Sequence, residues 1–303
     1  MRLDGIHHVT NITGDAAQNV AFYTGPMGLR MVKKTVNQDD PTVYHLFYAD
    51  EQGSPGADIT FFEYPGAQPG RAGAGMVHTV VWRVASEAAL DFWADRMGVA
   101  RDGDRVRFVD PEGLWHELVV ANVPDQPLIA DHPESPHDLA LQGFEGVRAY
   151  ARDPEVRTAP FLDSLGFERA DERFDTRGAD RGGWIAYEPA PEEPGIPGAG
   201  TVHHVAWSSE MGDEEKWIER VAQAGGRPTG VIDRFWFLSV YFREPSGVLF
   251  EIATKGPGFS TDEDMEHLGE KLILPPAFEH LRAQVEPVLT PLPNPRESWT
   301  RTS

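Results

Sequence analysis

Short runs such as GIHHVTNIT, TVYHLFYAD and ADITFFEYP alternate apolar and polar residues, the period of a strand with one buried face. Between them, stretches such as EAALDFWADRMG and DEEKWIERVAQAGG carry the wider spacing of an amphipathic helix. These patterns repeat. Aligning GMVHTVVWRV (75–84) with GTVHHVAWSS (200–209) brings a Gly, a Val-His, a Val and a Trp into register. Each segment is followed by a helical stretch (87–98 and 213–226) and then by a turn and strand, DPEGLWHELVV (110–120) and EPSGVLFEIAT (244–254). Both of these keep the spacing P-x-G-x-x-x-E. Two fainter copies begin at GIHHVTNITGD (5–15) and GFEGVRAYARD (143–153). The chain therefore reads as four β-α-β-β-β modules, roughly 5–65, 75–122, 143–190 and 200–254.

Four strands are too few to close a barrel, but two modules together make an open, curved, eight-stranded sheet around a cleft. The expected class is α+β. Pairing in sequence order gives an N-terminal domain over 1–125 and a C-terminal domain over 143–258. The Pro/Gly/Ala-rich segments 65–75 and 189–200 are then linkers within each pair, and 122–142 joins the two domains. A tail over 259–303 carries one or two short helices, with its last part, 290–303, frayed.

Composition narrows the function. With 303 residues and 40% hydrophobic content the chain has enough apolar material for a real core. No run reaches the ~18–20 apolar residues of a membrane helix, and the first residues lack a signal-peptide core. The absence of cysteine removes disulfides, thiolate metal sites and a cysteine nucleophile, and suits a cytoplasmic protein. A net charge of −21 argues against nucleic acid and anionic lipid as partners.

Candidate chemistry centres on the tandem histidines His7-His8 and His203-His204. Neighbouring strand residues point to opposite faces, so one member of each pair can reach a given ion. The repeat places His8 and His204 at the same position of an opening strand, and Glu251 lies in the closing strand of the fourth module. Two imidazoles and one carboxylate form a facial triad that leaves positions on the ion open, the set associated with non-haem Fe(II) oxygenases. A strand histidine is more often a hydrogen-bonded core group, but the repeat argues otherwise here. The matching positions are Gly146 and Thr79, so only Glu117 survives opposite Glu251.

At these residues, and at KKTVNQDDPTVYHLFYADEQGSPG, DRFWFLSVYFREPSGVLFEIAT and GPGFSTDEDMEHLGEKL, the chain resembles the vicinal oxygen chelate superfamily of glyoxalases, bleomycin-resistance proteins and extradiol dioxygenases. Within it the chain is most similar to ring-cleaving dioxygenases acting on hydroquinones. The resemblance implies metal ligation by His8, His204 and Glu251, and a site joining the first and fourth modules. It also implies supporting roles for His7, Thr10, His203, Arg234 and Tyr241. The implied metal is Fe(II), with Mn(II) or another divalent ion as substitutes, and the implied substrates are a small aromatic diol and O2. Homo-oligomers are compatible with the resemblance.

Tyr241 precedes Glu251 across the EPSG turn, so a hairpin sets it beside the metal-bearing strand, where its hydroxyl could exchange a proton with a bound phenolate. Arg234 could stabilise an anionic substrate. Phe235, Trp236 and Phe237 are candidates for an apolar cavity wall, whereas His45, His78 and His116 read as structural. Two other functions share the fold: a glyoxalase-like metal-dependent isomerase or lyase, and a non-catalytic drug-binding resistance protein.

Overall fold

The computed structural model describes residues 1–299. The first module comprises β1 (Ile6–Thr13), α1 (Ala16–Thr24), β2 (Arg30–Asn37), β3 (Asp40–Ala49) and β4 (Asp58–Glu63). The second comprises β5 (Met76–Val84), α2 (Glu87–Met97), β6 (Arg101–Asp102), β7 (Arg105–Val109) and β8 (Trp115–Val120). The third runs through β9 (Phe144–Ala151), α3 (Pro154–Leu165), β10 (Glu168–Ala170), β11 (Arg173–Arg177) and β12 (Gly182–Pro189). The fourth runs through β13 (Val202–Ser209), α4 (Glu214–Gln223), β14 (Ile232–Asp233), β15 (Phe237–Arg243) and β16 (Leu249–Pro257). All four thus have the expected β-α-β-β-β order, with only β16 running past the expected limits, to Pro257. Local chemistry sets the helix ends: the Asp15 side chain accepts from Gln18 N, that of Ser86 accepts from Ala89 N, and α2 stops at Gly98 in the left-handed conformation. Among the described residues no helix is long and apolar enough to cross a membrane.

The strands form two eight-stranded sheets, as expected, but the pairing of modules is not sequential. One sheet has the order β14-β15-β16-β13-β1-β4-β3-β2, which joins the first module to the fourth. The other has the order β10-β11-β12-β9-β5-β8-β7-β6, which joins the second to the third. In each sheet the modules meet through their opening strands, antiparallel: β1 with β13, and β5 with β9. Sequential pairing failed as an expectation because the opening strand leaves one edge unpaired without encoding which module fills it. The chain crosses between sheets twice, and the crossing segments lie against one another. Bridges link Pro69 with Ala199 and Arg71 with Ile196. A side chain on Gly73 would overlap Gly195, so the Gly-rich composition of these linkers serves their contact.

The largest core cluster draws on both sheets and the helices against them, with Trp82 and Trp207, the matched tryptophans of the repeat, fully buried. A polar thread runs through it. The Trp82 indole donates to His116 Nδ1 at 3.0 Å, so His116 carries its proton on Nε2 and donates to the Tyr23 hydroxyl at 3.0 Å. Tyr23 in turn donates to Asp110 Oδ2 at 3.0 Å. His78 stacks on Tyr150 with ring centroids 3.9 Å apart. Burial lowers both His116 and His78 from 6.5 to about 3, and the Arg107 and Arg148 charges add to the effect at His78.

The tail departs from its expected fraying. Thr290 Oγ1 donates to Glu63 Oε1 at 2.7 Å, Arg296 pairs with Glu51 and stacks over Trp299, and Trp299 packs on His132. The short helix α5 (Arg282–Val285) buries Val285. Only 300–303 of the expected frayed stretch lie outside the described residues.

Between about 3 and 6.5 the unfolded chain binds protons at His78 and His116 that the folded chain does not. Stability should therefore fall as pH is lowered through that window. Melting temperatures measured from pH 7 to pH 4 would contradict this if they stayed level.

Candidate metal centre

Register in the first sheet decides what meets in the cleft. His8 lies opposite Ala206, and Ala206 lies opposite Glu251 on its other side, so β1, β13 and β16 place these residues in one cross-strand row. His204 is two residues before Ala206, on the same face of β13. The three polar side chains therefore converge over the one small side chain of the row. His8 Nε2 and His204 Nε2 are 3.2 Å apart, and they lie 3.1 and 2.9 Å from Glu251 Oε2. Relative exposure is 2%, 4% and 0% for His8, His204 and Glu251, so water does not satisfy these atoms.

The donor set fits a divalent ion. Glu251 Oε1 accepts from Ser239 Oγ at 2.5 Å, but Oε2 has no hydrogen-bond partner despite two imidazole nitrogens beside it. An unpaired carboxylate oxygen at this depth costs several kcal/mol unless a cation meets it. Neighbouring ligands at right angles on an ion with ~2.1 Å bonds lie about 3 Å apart, which is the spacing of these three atoms. Burial alone would raise the Glu251 carboxyl, but the facing imidazoles outweigh it and hold it well below the ordinary carboxylate value. Burial lowers His204, against the pull of Glu251.

The outer His7 sets the tautomer of His8. His7 Nε2 donates to the Thr254 carbonyl at 3.1 Å, which leaves His7 Nδ1 to accept from His8 Nδ1 at 2.9 Å. His8 then presents a bare Nε2 to the cleft, the form an ion requires. His203 Nδ1 and His204 Nδ1 make the same contact at 2.8 Å. Burial and the neighbouring His8 lower His7 to about 3, which keeps it neutral.

Around the triad, a pocket with about 360 Å³ of atom-free space is lined by aromatic side chains and a few polar ones. Tyr241 lies directly opposite Glu251 in the β15–β16 hairpin, as its spacing predicts, and meets the His204 ring edge-on. Burial, with the Glu251 charge, raises its phenol and keeps it protonated. Arg234 donates from Nε to the Tyr241 hydroxyl at 3.4 Å and grips Asp39 with both terminal nitrogens, at 3.1 and 2.9 Å. The turn that presents Arg234 and Trp236 puts Phe235 in the left-handed region (φ 73°), braced by a 2.7 Å bond from Phe235 N to Asp233 Oδ1. Trp236 and Phe237 line the pocket, whereas Phe235 packs behind Trp236.

Thr10, opposite His204, accepts from Thr60 Oγ1 at 2.9 Å, and Thr60 bonds His45 Nε2 at 2.8 Å. His45 therefore belongs to the pocket, where sequence reasoning read it as structural. That reasoning also missed Ser239, Asp39 and Ala206. Ser239 lies two residues from Tyr241 and so shares its face. Ala206 had a visible signal: the matching position of the second module is Val81.

The second sheet shows the alternative. Glu117 is buried and grips Arg148, with Nη2 at 2.7 Å and Nε at 3.3 Å, while a side chain at Gly146 would overlap the Trp184 indole. Arg148 lies opposite Thr79, the place that Thr10 holds opposite His204. A guanidinium thus meets the carboxylate there.

The tail segment from Phe259 closes one side of the cleft. Phe259 packs on Phe47 and Trp236, and Leu272 bridges to Lys34 on β2.

Comparison with known proteins gives the family and the fold. The family model described as the Glyoxalase/Bleomycin resistance protein/Dioxygenase superfamily matches residues 5–101 and 75–252. A Bacillus subtilis (strain 168) protein named "Putative ring-cleaving dioxygenase MhqO" is 39% identical over 302 residues, covering 95% of this chain and 96% of its own. Chlorohydroquinone/hydroquinone 1,2-dioxygenase of Sphingobium indicum is 30% identical, covering 94% of this chain and 95% of its own. A Bacillus subtilis crystal structure, 38% identical, superposes with a TM-score of 0.88 over 96% of this chain and 98% of its own. Glyoxalase I from Zea mays shares the fold at 17% identity, with a TM-score of 0.57 over 83% of this chain and 92% of its own.

Two substitutions test the centre by metal analysis after reconstitution. His204→Ala should lose stoichiometric metal, whereas His203→Ala should keep most of it; the reverse would show that the register is off by one. Ala206→Val, which imports the second-sheet residue, should weaken metal binding roughly 10–100-fold with the fold intact.

Proposed function

The chain belongs to the Glyoxalase/Bleomycin resistance protein/Dioxygenase superfamily, and from that membership we propose that it is a divalent-metal-dependent dioxygenase that opens a hydroquinone-type or catechol-type ring with O2. His8, His204 and Glu251 are the ligands in this reading, with Fe(II) the resident ion and Mn(II) a substitute. The observation that carries it is Glu251 Oε2 converging with two imidazole nitrogens at the bottom of an aromatic pocket. The names of the relatives, ring-cleaving dioxygenases across nearly the full chain, support the reaction class. When bound, the ion supplies a Lewis acid and redox centre that favours the ionised form of a diol hydroxyl and leaves positions for both substrates.

The chain's own groups do the rest. Phe47, Phe62 and Trp236 hold the ring in a water-poor slot. Tyr241, protonated and directed by Arg234, donates its proton to an oxygen of the ring or of the opening product and takes one back. Arg234 stabilises negative charge on the substrate; Asp39 fixes its direction, at the cost of part of that charge. His7 and His203 hold the ligand tautomers, and Thr10 orients His45 through Thr60.

Anaerobic reconstitution with Fe(II), followed by O2-uptake measurements, tests the reading. Uptake should follow addition of hydroquinone or catechol, and Tyr241→Phe should lower kcat by about 10²–10⁴-fold with metal content unchanged. Uptake with neither diol would sink the proposal, and O2-independent turnover of a thiol hemiacetal would move the chain to the isomerase class.

A further inference from the structure

Lys33 is the largest charged side chain that is fully buried, with its whole surface withdrawn from water. It lies on β2 opposite Phe47, a pocket residue. A buried ammonium has three protons to place, and all three go to the tail. Nζ donates to Asp262 Oδ1 at 2.8 Å, to the Phe259 carbonyl at 3.2 Å and to Glu263 Oε2. The same nitrogen sits 5.1 Å from the Trp236 ring centroid and 5.7 Å from that of Phe259. Asp262 Oδ1 is shared, since the Trp236 indole also donates to it, at 3.0 Å.

One ammonium thus holds two things at once. It ties the tail to β2, and through Asp262 it fixes the rotamer of Trp236, which lines the pocket. Phe259 completes the arrangement: its ring lies 5.1 Å from Phe47 and 6.0 Å from Trp236, behind both pocket walls. Nothing in the four-fold repeat supplies this wall.

We propose that Lys33 is a positioning residue that latches the acidic tail segment at Asp262 and Glu263 against Trp236, so that the tail, rather than the sheet alone, sets the shape of the aromatic-binding wall. The inference rests on the dioxygenase reading for its kinetic arm only. Lys33 touches none of the three metal ligands, so its effect falls on ring binding and not on the ion.

The test compares the full-length protein with Lys33→Met, with Asp262→Asn/Glu263→Gln, and with the triple combination. Lys33→Met should raise KM for hydroquinone about tenfold while kcat and bound metal stay within about twofold, the split expected when binding contacts alone are lost. Chymotryptic cleavage within 259–273 should accelerate by a similar factor. The tail-side pair should reproduce both effects, and the triple variant should add nothing, because either side of the contact removes it.

Additive effects on KM would overturn the latch. So would unchanged KM and unchanged cleavage, or a fall in kcat that tracks lost metal. If Lys33→Met does not fold, the more exposed tail-side pair distinguishes the same outcomes. If the unsubstituted protein takes up no O2, the functional reading fails, while the cleavage rates still decide whether Lys33 holds the tail.

Discussion

The antiparallel seam between β1 and β13 is the contact on which the rest depends. It carries no unusual residue and is ordinary ladder hydrogen bonding between two strands nearly two hundred positions apart. Yet it alone brings His8 within reach of His204, because each belongs to a different module of the repeat. Side-chain period makes the seam exacting: a slip of one residue would turn His8 out of the cleft and His7 into it. The bulges in this pairing, between Ile6 and His8 and between Thr10 and Asn11, fix where the slip cannot occur. Ala206, between His8 and Glu251 in the resulting row, leaves the space that the donors share.

The second constraint is the carboxylate at the end of each P-x-G-x-x-x-E strand. Both Glu251 and Glu117 are buried by the same geometry, and neither can remain there uncompensated. The two sheets answer differently. In one, Arg148 brings the positive charge on a side chain and the Trp184 indole covers Gly146. In the other, two imidazoles surround the oxygen, an arrangement in which a cation could supply the compensation. Pseudo-symmetry therefore provides an internal comparison in which the fold is held constant and only the source of charge changes.

Much of this was legible in the sequence because the repeat is written in the residues that build it. The glycines, the buried tryptophans and the P-x-G-x-x-x-E turns recur, so module limits and the choice of His8, His204 and Glu251 could be read by alignment alone. Tyr241 was legible for a similar reason, since a short turn fixes the register of its hairpin. Module pairing was not, because an opening strand has the same pattern whichever partner it meets. His45 was misread because its neighbours in the chain give no hint of Thr60, which lies on the adjacent strand. Asp39 and the tail carried no repeat signal at all. Their contacts join β2 and the turn after it to residues 195 and 229 positions away, and no local period encodes such a distance.

These differences in legibility follow a division within the site. The candidate ligands come from the repeated framework, where strand register places them, and framework positions tolerate few changes. The proposed ring-binding walls combine strand residues, Phe47 on β3 and Phe62 on β4, with loop segments: the NQDD turn, the strained turn at Phe235, and the tail held by Lys33. Such segments can vary without disturbing the sheet, as loops on a rigid scaffold do. The chemistry available to the chain is thus set by the seam, while the shape of the molecule it acts on is set by elements that the seam does not constrain. A change of reaction would need alterations among the candidate ligands, where His8, Ala206 and Glu251 share one cross-strand row beside His204.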